Sequence, residues 1–492
     1  MSKAAKRAAL QRFSDNKILD LIPHPNLGRP HGTNDYSPLP EEDSDGNSIE
    51  ETIAKYPGGF DPEQHTDNRE HARVQILKQV YGGLGESNVQ CFLGKILVEP
   101  ANDTTAVHAR LEEGSHVLVK VIDHVLFESD ALLADSQFTR EGAALNHFYK
   151  NKLTGPDHII PEFFGTWVLK VEERRSVRCV GIVLTEFVQG VSIRALSTFD
   201  KESEMFLPKE NPVSVPKVDG GTISLTMKAK TTRLRFLKQL LGESVKHLKA
   251  GIERDSWCIH RILVTNLEKG TVLRHPRPVL LHLSFSQVYS LTKWPRMRGE
   301  PPTLRFEELS RPIHPFEVFD LDNIANLEGW LPPEWVNEPY KYDGWLLLEF
   351  GVPGQARRHE ASYSTYDEKP ELLDAEEHAR RKERLDKAIE YCDKLKQYAL
   401  QRPGTRYPSR KRRGPEQEPQ AAKRIRGDES SHAGRESLRP SSPSQSPMST
   451  TSCFEVNDPQ DGDHPPGVGH EPVHDEWFLF YNGGPKERSQ SE

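Results

Sequence analysis

Hydrophobic and polar positions divide the chain into an ordered middle and two polar ends. Apolar residues become regular near residues 73–81. The runs at 89–98 and 117–122 read as strands, separated by a polar loop. Phe138, Glu141, Leu145 and Phe148 recur at helical spacing and predict a helix over 136–150. Two further strand-like runs follow at 164–170 and 178–188. A polar, proline-containing insertion is expected at 199–230. Leu234, Leu237, Leu241, Val245 and Leu248 then step by three and four, the clearest helical pattern in the chain. Thr231 or Thr232 is placed to cap that helix and Gly251 to end it. The runs at 261–264 and 278–281 read as a small hairpin. Aromatic residues make 290–355 able to pack, and 370–402 reads as a charged, partly amphipathic helix. Strands first and helices later is an α+β order.

Composition sets the limits. Residues 1–70 are rich in Pro, Gly, Asp, Glu and Asn and are expected to form a disordered arm, because they bury too little apolar surface to offset ordering entropy. Residues 403–492 are expected to be disordered for the same reason. The net charge of −8 is mild, with basic residues concentrated late in the chain. Five scattered cysteines with no CxxC pair argue against a disulfide framework or a zinc site and suggest a reducing compartment. No apolar run reaches the roughly 20 residues that span a bilayer, so no membrane partner is expected. The basic N-terminus lacks the apolar core of a secretory signal. A mitochondrial presequence reading is opposed by Asp15 and Asp20.

Several partial motifs between about 80 and 350, taken in order, resemble the protein-kinase-like family in a fungal-type form. Val117-Leu-Val-Lys120-Val resembles the strand whose lysine holds nucleotide phosphates. Read alone, it is an ordinary edge-strand lysine. Glu141 follows at about the interval of the family's lysine–glutamate pair. The run 181–190 is similar to the hinge, with Thr185 at the gatekeeper place and Glu186 to Val188 offering backbone groups to an adenine. The stretch 250–264, entered by the leucine-rich helix, resembles the catalytic loop. There Asp255 stands for the base, and His260 stands where a metal-binding asparagine is usual. At 278–284, His282 occupies the place of the metal-binding aspartate. Gly82, Gly83 and Gly85 form a weak phosphate-loop pattern, with Asn88 at the place of its last glycine.

The resemblance implies a two-lobed protein-kinase-like fold: an N-lobe with a small antiparallel sheet and hinge at 71–190, and a mainly helical C-lobe at 191–402. It also implies ATP as a possible cofactor. Mg²⁺ is doubtful, because magnesium wants hard oxygen ligands and both usual places hold histidine. No metal ligand is therefore assigned. Asp320 or Asp322 supplying a carboxylate from elsewhere, and a transition-metal site on the histidines, are weaker readings than capping and packing roles. The expected function is a pseudokinase acting as a protein-binding or scaffolding module. The alternatives are an active atypical Ser/Thr kinase and a small-molecule phosphotransferase.

In the tail, Arg410, Lys411, Arg412 and Arg413 are followed by Lys423, Arg424 and Arg426. Two basic clusters at this spacing read as a bipartite nuclear signal, with an import receptor as partner at 409–426 and a nuclear or nucleocytoplasmic location. The plainer reading is a solvated basic run. No aromatic residues interleave the clusters, so no specific nucleic-acid platform is expected. Ser442-Pro443 and Ser446-Pro447 resemble sites for a proline-directed kinase. The aromatic run at 476–481 could dock as a short peptide or fold back on the domain.

Overall fold

A computed structural model of the chain describes residues 3–401 apart from 65–70, 84–86, 100–109, 129, 173–176, 219, 255–256, 269, 297–305, 355–362 and 371–372. The chain opens with α1 (Lys3–Gln11), β1 (Ile18–Pro23) and α2 (Ile49–Lys55), followed by β2 (Ala72–Gly83), β3 (Ser87–Val98) and β4 (His116–Ile122). It continues through α3 (Ala131–Lys150), β5 (Phe163–Glu172), β6 (Val177–Glu186), β7 (Val191–Ser192), β8 (Ser197–Asp200), β9 (Met205–Pro208), β10 (Val213–Pro216) and β11 (Thr222–Leu225). Then come α4 (Lys230–Lys249), β12 (Ile252–Arg254), β13 (Ile262–Glu268), β14 (Thr271–Leu280) and β15 (Ser286–Val288). The helices α5 (Pro315–Val318), α6 (Pro333–Asn337), α7 (Pro339–Phe350) and α8 (Ala375–Gln401) complete it.

The first six strands close into an antiparallel barrel in the order β1-β2-β3-β4-β6-β5. This corrects the expected two-lobed kinase fold, with its small antiparallel sheet and mainly helical C-lobe. β1 is the cause. It lies in the segment expected to stay disordered, yet it pairs with β2 through Leu21 opposite Ala72 and with β5 through Leu21 opposite Leu169. Strand pairing on both sides gives its backbone groups partners, and Leu19 and Leu21 enter the barrel core.

Alternation along the strands fixes which side chains fill the barrel and which face out. Val117, Val119 and Val121 of β4 and Val180, Ile182 and Leu184 of β6 pack inside. Lys120 and Thr185 therefore face outward. α3 lies against that outer wall, capped by Asp130, whose carboxylate accepts from Leu133 N at 2.8 Å. The N-terminal segment is tied over α3: His31 Nε2 lies 2.9 Å from Asp135 Oδ2, and Ser136 Oγ donates to the His31 carbonyl at 2.9 Å.

Other expectations shift at their ends. The helix foreseen over 136–150 starts five residues earlier, because Asp130 caps it. In α4, Leu237, Leu241 and Val245 are buried as the spacing predicts. Thr231 and Thr232 lie inside that helix, whose cap residue is Ala229. The insertion at 199–230 is not irregular: it holds the hairpins β8–β9 and β10–β11. The hairpin foreseen at 261–281 is β13–β14, longer than the two short runs suggested. Among the described residues, no helix is long and apolar enough to cross a membrane.

Candidate functional site

Lys120 sits opposite Cys91 of β3 and Val183 of β6 in the barrel wall. Its ammonium donates to the carboxylate of Glu141 on α3, and both side chains are buried. Burying two charges costs more than their attraction returns unless geometry and further hydrogen bonds are good, so such a pair is poorly explained by stability alone. Buried, specifically paired charges in a cleft are candidates for functional groups.

The pair lies at the wall of a narrow cleft between the barrel, α3 and the turn after β14. Leu118, Leu145, Pro161, Val183, Leu280 and Leu283 supply apolar walls, while Lys120, Glu141, Thr185 and His282 supply polar groups. The mix of apolar walls with few polar groups is that of small-molecule sites. Cys91 also lines the cleft. Burial pushes its thiol up to about 12, with Lys120 pulling down and Glu141 pushing up, so it stays a neutral thiol.

Of the residues singled out in the sequence, the structure brings Lys120, Glu141, Thr185 and His282 to this one cleft. Glu186 and Val188 instead line a second, larger cavity of about 650 Å³ together with Phe187 and Lys217. The Glu186 carboxylate accepts from Glu162 N at 3.2 Å and lies 3.6 Å from Arg277. His260 is buried and is not among the residues lining the cleft. Asp255 lies outside the described residues, as do Gly85 and the basic clusters at 409–426. Asp320 accepts from Asn323 N at 2.9 Å, a local capping contact. Among the described residues there is no group of three or more His, Cys, Asp or Glu side chains that could hold a metal.

Three contributors were missed in the sequence. Cys91 and Leu145 follow from strand and helix phase once Lys120 and Glu141 are placed. Tyr81 of β2 meets His282 edge-on, with ring centroids 6.2 Å apart and planes at 78°. That contact joins residues two hundred positions apart and leaves no local signal. No family model matches the chain, and no curated protein matches it either.

Proposed function

We propose that the chain is a non-catalytic binding module whose cleft takes a nucleotide, with Lys120 drawn toward the phosphate-bearing end. The reading keeps the role of a pseudokinase that the motifs imply, without the two-lobed fold. One observation carries it: a buried lysine–glutamate pair opens on an apolar cleft that also holds Thr185 and His282. Apolar walls suit a planar base. The lysine supplies a positive charge in a water-poor setting, where it acts strongly on an anion.

Transfer of a phosphoryl group needs positive charge on the developing phosphate oxygens, which divalent metal usually supplies. The carboxylate in the cleft wall, Glu141, is engaged by Lys120, and the imidazole of His282 is a poor magnesium ligand. Binding without turnover follows from that chemistry, and it fits a module that responds to ligand by presenting a surface to a protein partner.

Displacement of a fluorescent ATP analogue by ATP, run beside an assay of phosphate release, tests the reading. Saturable displacement with no phosphate released above the protein-free rate is the expected result. Steady phosphate release that depends on Lys120 would overturn it in favour of an enzyme.

A further inference from the structure

Five non-glycine residues among those described have positive φ: Asn16, Glu128, Lys152, Glu204 and His282. The first four are exposed, and His282 alone of the five lines the cleft. A left-handed conformation (φ 55°) is unfavourable for a residue with a side chain. Such conformations persist where the surroundings over-determine them, and they gather at ligand sites. The surroundings here do so. Leu280 N donates to the Ile159 carbonyl at 2.7 Å, and Leu281 N donates to the Arg261 carbonyl at 2.8 Å. On the far side, Leu283 and Ser284 are buried. The turn therefore has little freedom, and it delivers the imidazole to the same cleft as Lys120.

Tyr81 holds the ring from the other side. Its edge-on contact with His282 comes from a strand end that Gln79 fixes, since Gln79 Nε2 donates to the Tyr81 carbonyl at 3.3 Å and to Gln90 Oε1 at 2.6 Å. Imidazole N–H groups and an ammonium are hydrogen-bond donors suited to phosphate oxygens. A divalent cation on those oxygens would occupy the same lone pairs and be repelled by both side chains when charged.

We propose that His282, together with Lys120, grips the anionic end of the ligand directly, so that the cleft takes a nucleoside polyphosphate free of divalent cation. This inference rests on the nucleotide reading above and adds the ligand's metal-free form and the residue that selects it.

Calorimetric titration of the full chain with ATP and with adenosine, each in EDTA and in excess Mg²⁺, tests it. ATP is expected to bind in EDTA and to weaken in Mg²⁺, while adenosine binding is indifferent to metal. His282→Gly removes the imidazole and relieves the positive φ, so the variant is expected to fold and to bind metal-free ATP about tenfold more weakly, with adenosine unchanged. His282→Asp adds a hard oxygen ligand and repels bare phosphate, so its ATP binding is expected to become metal-dependent. ATP binding that requires Mg²⁺ in the natural chain, or a His282→Gly variant that binds metal-free ATP as tightly as the natural chain, would overturn this inference and leave the nucleotide reading standing. Absence of binding by both ATP and adenosine would remove the two together.

Discussion

Lys120 donates to Glu141 from the outer wall of a closed barrel, and the two side chains are only 8% and 6% exposed. β4 supplies the lysine through its alternation, and α3 supplies the glutamate. The pair therefore reports whether barrel and helix are docked.

Removing one partner should be costly. Glu141→Ala leaves a buried ammonium without its counter-charge, and a loss of about 3–5 kcal/mol is expected in urea unfolding. Replacing both, Lys120→Met with Glu141→Leu, should recover most of that loss, because an apolar pair of similar volume carries no desolvation cost. A double variant as unstable as Glu141→Ala would mean that the pair is not the source of the effect.

The barrel depends on β1. Leu21 is fully buried where β1 meets β2 and β5, so Leu21→Ala should cost about 2–5 kcal/mol. Deleting residues 1–30 should do something different in kind. It leaves β2 and β5 with open edges, which invites association between chains. Size-exclusion chromatography of the truncated protein should show higher-order species, and a well-behaved monomer would contradict the closed barrel.

Gly181 couples the barrel wall to the site. A Cβ there would lie 2.9 Å from the Phe138 ring, and Phe138 stands three residues before Glu141 on α3. Gly181→Val should push the helix outward and destabilise by about 1–3 kcal/mol, with nucleotide affinity falling as well. Adding Phe138→Leu should return part of both, measured by urea unfolding and nucleotide displacement.

Acid should weaken the protein through His314. Burial lowers this imidazole to about 4 from the ordinary 6.5, despite the opposing pull of the Gly351 and Phe350 carbonyls. The geometry gives the same answer: Nδ1 accepts from Phe316 N at 3.0 Å, so the ring is neutral with its proton on Nε2, 3.1 Å from the Gly351 carbonyl. Between pH 6.5 and 4 the unfolded chain binds the extra proton and the folded one does not. Stability is therefore full above pH 6.5 and is lost as pH falls toward 4, by at most about 3 kcal/mol. In His314→Asn, urea unfolding should show a shallower fall over this window. An unchanged fall would assign the acid sensitivity to other groups.

How much of this was legible depends on whether local pattern or distant pairing decides. The strands holding Lys120 and Thr185 and the helix α4 repeat their apolar positions often enough to be read directly. β1 does not: Leu19, Asp20 and Leu21 alternate, but a six-residue run in polar surroundings becomes a strand only because β2 and β5 leave a place for it. Pairing of β1 on both sides closes the expected small antiparallel sheet into a barrel. The hairpins inside 199–230 were missed for a similar reason, since four-residue strands carry little periodicity. In the cleft, the motif order placed Lys120, Glu141, Thr185 and His282 together. It did not foresee that the strand ending at Glu186 sends the next residues to a different cavity.

The most direct test of the central claim is the thermal unfolding midpoint of the full chain with ATP in EDTA, measured beside Lys120→Ala. A ligand that binds only the folded state raises the midpoint in proportion to its occupancy. The account expects a clear rise with ATP that is absent in Lys120→Ala. Equal midpoints with and without ATP in the natural chain would contradict it.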